Sequence, residues 1–219
     1  MDPFVPGKLS ELRADGEPVI VVPMGGVNYV SFQQMPRIAT EQLNGCSAVI
    51  IASAYGAILG HIPPLPLQPE TDPLGHQYVR SMMAQVAALY HNHIHEFPTP
   101  DTVIVCAWME GTRTFGLPDH LQIMQQCFQS LGHNPTIRPY SIPSNRRRSG
   151  GGTVIVQSNP GQTKPTVYVE DKAIWCRIGV SRWMVLLVYW LCTRKKKKRK
   201  TDRAGGSSTN PICVQALVR

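Results

Sequence analysis

The hydrophobic positions of the chain form short strand-like runs, interrupted by two segments with helical spacing. Residues 102–108, TVIVCAW, give the strongest strand prediction. Such runs, rich in valine and isoleucine and bounded by proline or glycine, are typical of buried strands. The same pattern predicts strands at residues 19–22, 136–140, 153–157 and 166–170, and a weaker alternation at 27–38 indicates a further one.

The first helical segment follows a proline-containing loop. Tyr78, Met82, Val86 and Leu89 recur at intervals of three and four residues. Because an α-helix has about 3.6 residues per turn, these side chains would lie on one face. The pattern predicts about four turns of amphipathic helix, ending near His91.

A second helix is predicted from Pro118 to a glycine stop at Gly132. Strands that pair locally, with helices returning between them, predict a mixed α/β layer fold of the α+β class. The domain is expected to span residues 18–176. It would follow a loosely held arm at 1–17 and precede a poorly ordered tail at 177–219.

Residues 40–61 contain the most distinctive part of the pattern. Two aliphatic runs flank a turn at Gly56, which predicts a β-hairpin. Such a hairpin would bring Cys46, at the start of its first strand, beside His61, at the end of its second. A thiolate is a nucleophile, and a neighbouring imidazolium stabilises it, so this pair is a candidate catalytic site.

The net charge of +8 comes from the C-terminal part of the chain. Residues 177–219 carry eleven basic residues and one acidic residue, whereas residues 1–176 carry eleven basic and thirteen acidic residues. The body is therefore nearly neutral, and its charge gives no reason to expect nucleic acid as a partner.

The tail combines an apolar run at 183–191 with a basic run at 194–200. The apolar run is well short of the roughly 20 residues that a membrane-spanning helix needs. Docking to a membrane surface is one interpretation of the tail. Nuclear import or binding to an acidic partner is another, and an unstructured extension is a third.

The cysteines and histidines do not predict a metal site. Six cysteines are scattered without a CxxC pair, and no signal peptide is visible, so a cytoplasmic, reducing compartment is expected. Only His91 and His95 would share a helical face, and the spacing suggests that Glu96 points elsewhere. No cofactor is expected.

The spacing Thr40-x5-Cys46, followed by Gly60-His61 and a proline-rich exit, resembles the bacterial chemoreceptor glutamine deamidase CheD. The Gly45-Cys46 element, with a histidine fifteen residues later, is also similar to the catalytic domain of the cytotoxic necrotizing factor toxins. Those toxins deamidate a glutamine of Rho GTPases. The resemblance covers roughly residues 18–175 and implies a mixed β-sheet sandwich core flanked by helices.

The resemblance implies a cysteine hydrolase that deamidates a protein glutamine through a thioester. Cys46 would be the nucleophile, His61 the acid and base, and the Thr40 hydroxyl the group that orients His61. A backbone carbonyl from residues 22–27 is the alternative orienting group, as in the toxin-like sites.

The physical chemistry of the reaction adds further candidates. The tetrahedral oxyanion needs hydrogen-bond donors, and the backbone amides of Gly45, Cys46 and Ser47 are the nearest along the chain. A basic loop that contains Arg146, Arg147 and Arg148 is a candidate surface for an acidic partner.

Two other functions stay open from the sequence. One is a catalytically silent binding module of the same fold, and the other is a small-molecule amidase. Neither the substrate nor the oligomeric state is predicted.

Overall fold

The computed structural model describes residues 6–65, 70–142, 149–159 and 161–174. All of these described residues belong to one compact unit, within residues 1–178. The predictions for Arg146, Arg147, Arg148 and the tail at 177–219 fall outside the described residues. Within the described ranges, no helix is long and apolar enough to cross a membrane.

The described residues form two β-sheets. The first sheet has the strand order β2 (Val27–Ser31), β5 (Gly56–Ile62), β4 (Ser47–Ala52), β6 (Asp101–Met109), β7 (Thr114–Phe115), with β8 (Thr136–Ile142) also paired to β6. The second has the order β1 (Ile20–Val21), β3 (Arg37–Thr40), β9 (Val154–Gln157), β10 (Thr166–Val169), β11 (Lys172–Ala173). The helices are α1 (Lys8–Ala14), α2 (His76–Asn92) and α3 (Pro118–Ser130), with a 3₁₀ turn at Ile94–Glu96.

The two sheets pack face to face around one apolar cluster, and helices cover both outer faces. Ala48 and Ile50 of the first sheet share this cluster with Ile38 and Val156 of the second. On the other face of the first sheet, a second cluster joins Val49 and Ile51 to α2 and α3. Every residue of β4 and β5 is buried, because these strands are covered on both sides. The expected α+β class and the layered sheet core are confirmed.

The predicted hairpin forms from β4 and β5, but Thr40 is not part of it. Ala48 lies opposite His61, and Ile50 opposite Leu59, in an antiparallel ladder. Thr40 ends β3 in the other sheet, where it lies opposite Val154. The chain therefore crosses from one sheet to the other before β4 begins at Ser47, a separation that the local hydrophobic pattern could not show.

The N-terminal residues also differ from the expected loose arm. Lys8–Ala14 forms α1, whose Leu9 and Leu12 are buried against Ala39 and Ile155 on the outer face of the second sheet. The amide of Lys8 also donates to the carboxylate of Asp171. The helix stays in place because it covers apolar surface that would otherwise face water.

Candidate active site

His61 and Thr40 meet in the interior between the two sheets. The Thr40 Oγ1 and His61 Nδ1 atoms are 2.6 Å apart, and the Thr40 hydroxyl donates to the Val22 carbonyl oxygen at 2.8 Å. A hydroxyl has one hydrogen, which Val22 accepts, so Thr40 Oγ1 must accept a hydrogen bond from Nδ1–H. The two groups expected as alternatives, the Thr40 hydroxyl and a backbone carbonyl, are thus linked in series: the imidazole donates to the hydroxyl, and the hydroxyl donates to the carbonyl.

The other ring nitrogen of His61 carries the lone pair. Its Nε2 atom is buried and has no hydrogen-bond partner among the residues that the structure describes. Burial lowers the pKa of His61, and the Val22 carbonyl opposes that shift only in part. The imidazole is therefore neutral at neutral pH, with Nδ1 protonated and Nε2 able to take up a proton.

Cys46 lies on the same sheet face as His61. Its side chain belongs to the cluster between the sheets, together with Ala48, and Ala48 is directly opposite His61 in the ladder. Cys46 immediately precedes β4, which begins at Ser47, and is two residues before Ala48. Thr40, Cys46 and His61 all lie in the interior between the two sheets, where Thr40 contacts His61 but the Cys46 sulfur does not hydrogen-bond His61 Nε2.

The surroundings of Cys46 favour the neutral thiol over the thiolate of the expected ion pair. Burial raises the pKa of Cys46, whereas the backbone N–H groups of Asn44 and Cys46 itself lower it. The burial effect is larger. With Cys46 only 3% and His61 only 2% exposed, both groups are neutral because the interior disfavours charge on either one.

The backbone around Cys46 is held by Tyr140. Gly45 has a φ of 95°, in the left-handed region that favours glycine. Its N–H donates to the Tyr140 hydroxyl at 2.9 Å, and that hydroxyl donates to the Cys46 carbonyl at 2.7 Å. The Gly45 N–H is therefore bonded to Tyr140 and is not free to act as the expected oxyanion donor.

Two backbone amides act on the Cys46 sulfur itself. The backbone N–H groups that act on the Cys46 sulfur are those of Asn44 and Cys46. Ser47, the third expected contributor, begins β4 opposite Ile62 and is not one of them. The contribution of the Asn44 N–H was not predicted, because every residue except proline has a backbone amide and the sequence does not indicate where it points.

The strand that carries His61 is fixed at this end by a short loop. The His61 N–H donates to the Gly26 carbonyl at 2.9 Å, and its carbonyl accepts the Gly25 N–H at 2.8 Å. On the other side, Pro64 lies next to Gly45, where a Cβ would be 3.7 Å from the proline ring. These contacts place the candidate site at the end of the hairpin opposite its turn.

The histidines after α2 form a separate cluster. Glu96 accepts a hydrogen bond from the Tyr29 hydroxyl, and its Oε1 atom lies 3.7 Å from His93 Nδ1 and 3.7 Å from His95 Nε2. The prediction that Glu96 points elsewhere is wrong, because the chain leaves α2 for a 3₁₀ turn. Among the described residues, no group of three or more potential ligands is arranged to hold a metal ion.

Comparison with known proteins leaves the family of this chain open. No protein-family model matches the sequence, and no curated protein matches it significantly.

Proposed function

We propose that this protein is a cysteine hydrolase that deamidates a glutamine side chain of a protein substrate. The observation that carries the proposal is the state of His61. Its Nδ1 is fixed by Thr40, while Nε2 has no partner within the described part of the chain and lies on the sheet face that also carries Cys46. In a cysteine hydrolase, a histidine oriented through one nitrogen uses the other nitrogen to accept the proton of the thiol.

In the first step, the thiol of Cys46 would transfer its proton to Nε2 of His61 as the sulfur attacks the carboxamide carbon. This order suits two groups that are neutral at rest, because the charges form only when substrate is present. The negative oxygen of the tetrahedral intermediate would be bound by the N–H groups of Asn44 and Cys46, the two amides already directed at the sulfur.

In the second step, the imidazolium of His61 would return the proton to the departing nitrogen, so that ammonia leaves and a thioester remains. A water molecule that gives its proton to Nε2 would then attack the thioester. The products are a glutamate carboxylate and the regenerated thiol of Cys46. The reaction converts a neutral amide into a charged group, and the protein itself is unchanged at the end.

A catalytically silent binding module is the alternative that one observation favours. Cys46 and His61 are almost fully buried, so a carboxamide reaches the sulfur only after the surrounding chain moves. In a silent module, the hydrogen bond that Thr40 accepts from His61 would serve only to satisfy a buried histidine.

The test is release of ammonia from glutamine-containing proteins. The full chain would be incubated separately with a Rho GTPase, with a chemoreceptor cytoplasmic domain and with free glutamine. Ammonia would be measured, and the modified glutamine located by peptide mass spectrometry. The variant Cys46→Ala should abolish release. Cys106→Ala, which removes a cysteine that is equally buried on the opposite face of the first sheet, should not.

The outcomes separate the candidate functions. Release from a protein substrate that depends on Cys46 supports the deamidase. Release from free glutamine alone would indicate a small-molecule amidase. No release from any of the three, with a wild-type chain that is folded, would favour the silent module.

A further inference from the structure

Tyr140 connects the strand β8 to the backbone on both sides of the candidate nucleophile. Its phenol accepts the N–H of Gly45 and donates to the carbonyl of Cys46. These two groups lie at opposite ends of the Gly45-Cys46 segment, so a single oxygen holds both. The assignment of donor and acceptor is unambiguous, because an amide N–H only donates and a carbonyl only accepts.

The sheet geometry explains how a residue so distant in sequence reaches this loop. Tyr140 lies beside Ala107 in the parallel pair of β8 with β6. Ala107 belongs to the same apolar cluster as Cys46 and Tyr140, between the two sheets. Tyr140 is only 2% exposed, and burial raises the pKa of its phenol, so the hydroxyl keeps the proton that it donates to Cys46.

We propose that Tyr140 is a positioning residue, whose phenol fixes the Gly45-Cys46 backbone so that the sulfur and the oxyanion-binding amides face the same point. The proposal rests on the deamidase function proposed above. Tyr140 does not touch the substrate in this scheme. It acts through the backbone of Cys46, whose carbonyl accepts its hydrogen bond.

The conformation of Gly45 indicates why such a restraint is needed. A left-handed residue between Asn44 and Cys46 sets the direction of the flanking amides, and glycine is the residue with the most freedom to leave that conformation. Without the phenol, the Gly45 N–H and the Cys46 carbonyl would both lose their partner. The segment would then sample other conformations in which the two amides no longer converge on the sulfur.

The experiment compares Tyr140→Phe with Tyr90→Phe in the full chain. Tyr90 is also buried, but it packs against Phe97 and His133 near the end of α2, away from Cys46. Three quantities would be measured for each variant: kcat and KM for the protein substrate, the rate of iodoacetamide alkylation of Cys46 by peptide mapping, and the midpoint of thermal unfolding.

For Tyr140→Phe we expect kcat to fall about 10- to 100-fold while KM changes little, because misplacement of the reacting groups affects the transition state most. Alkylation of Cys46 should become faster, since a loosened loop exposes the thiol. Slower turnover with faster alkylation is the signature of lost positioning. Unchanged kcat and unchanged alkylation, as expected for Tyr90→Phe, would overturn the proposal.

Two further measurements keep the result interpretable. If Tyr140→Phe does not fold, Gly45→Ala tests the same loop, because it retains the phenol but strains the left-handed backbone, and kcat should again fall. Unchanged kcat in that variant would overturn the proposal. Failure of the deamidase function itself would appear differently, as absence of ammonia release from the wild-type chain.

Discussion

The Thr40 hydroxyl lies 2.6 Å from Nδ1 of His61, although the two residues belong to different β-sheets. This contact joins the sheets at the candidate site and determines which nitrogen of the imidazole is free. The tautomer of His61 is therefore a consequence of how the sheets pack, and it can be altered by removal of one hydroxyl group.

Thr40→Val replaces that hydroxyl by a methyl group of similar shape. The Val22 carbonyl and the Nδ1–H of His61 would both lose their hydrogen bond to the Thr40 hydroxyl. We expect kcat to fall about 10- to 100-fold, since the imidazole is no longer held in one tautomer. The free energy of unfolding should fall by about 1–3 kcal/mol. Thr40→Ser keeps the hydroxyl and should retain most of the activity. Equal activity of the Val and Ser variants would contradict this role.

The pH dependence of kcat/KM should be that of an enzyme in which Cys46 and His61 are both neutral before substrate binds. Burial lowers the pKa of His61 from its ordinary value of 6.5 and raises that of Cys46 from 9.0. Activity should therefore be lost only on acidification below pH 6.5, as His61 becomes protonated, and should stay level up to about pH 9. A rate that climbs through the alkaline range would instead mean that a thiolate must form before substrate binds.

Stability should also depend on the protonation of His61. Above pH 6.5 the residue is neutral in both the folded and the unfolded chain. Below that pH the unfolded chain takes up a proton that the folded chain resists. The free energy of unfolding should then fall by up to about 1.4 kcal/mol per pH unit. Urea unfolding between pH 8 and pH 5 measures this slope.

His61→Gln is the comparison for that slope. The variant should lose the contribution of residue 61 and keep that of His133, whose pKa burial also lowers. The slope should therefore become shallower but should not vanish. A slope identical to that of the wild-type chain would show that His61 is protonated equally easily in both states.

The order of cysteine alkylation should follow burial. Cys127 is half-buried, whereas Cys46 and Cys106 are buried, and burial raises the pKa of Cys106 to about 12. Among these three we expect iodoacetamide to label Cys127 first, then Cys46, then Cys106. Cys46 is placed before Cys106 because the N–H groups of Asn44 and Cys46 lower the Cys46 pKa and so offset part of the increase that burial causes. Labelling of Cys46 first, with a low apparent pKa, would indicate a resting thiolate.

Helix α1 should contribute to the stability of the domain. Leu9 is buried on the second sheet, whereas Leu74 is exposed in a loop. Leu9→Ala should lower the free energy of unfolding by about 2–3 kcal/mol. Leu74→Ala should change it by less than about 0.5 kcal/mol. Equal, small effects in urea unfolding would mean that residues 8–14 behave as the loose arm expected from the sequence.

The sequence by itself determined the elements that depend on local pattern. The hairpin of β4 and β5, the helices α2 and α3 and the α+β class follow from hydrophobic periodicity, glycine turns and proline breaks, because these act between residues close in the chain. The candidacy of Cys46, His61 and Thr40 also came from the sequence. Their catalytic roles stay predictions.

Only the tertiary structure decided how those residues relate to one another. It placed Thr40 in the opposite sheet from His61. It also showed that the Gly45 amide donates to Tyr140, so this amide is not free to bind an oxyanion, and that the Tyr140 hydroxyl donates to the Cys46 carbonyl. It further showed that Cys46 is buried, which raises the pKa of its thiol and disfavours the expected thiolate. Each of these depends on contacts between distant segments or on exclusion of water, and neither leaves a pattern in a short stretch of sequence.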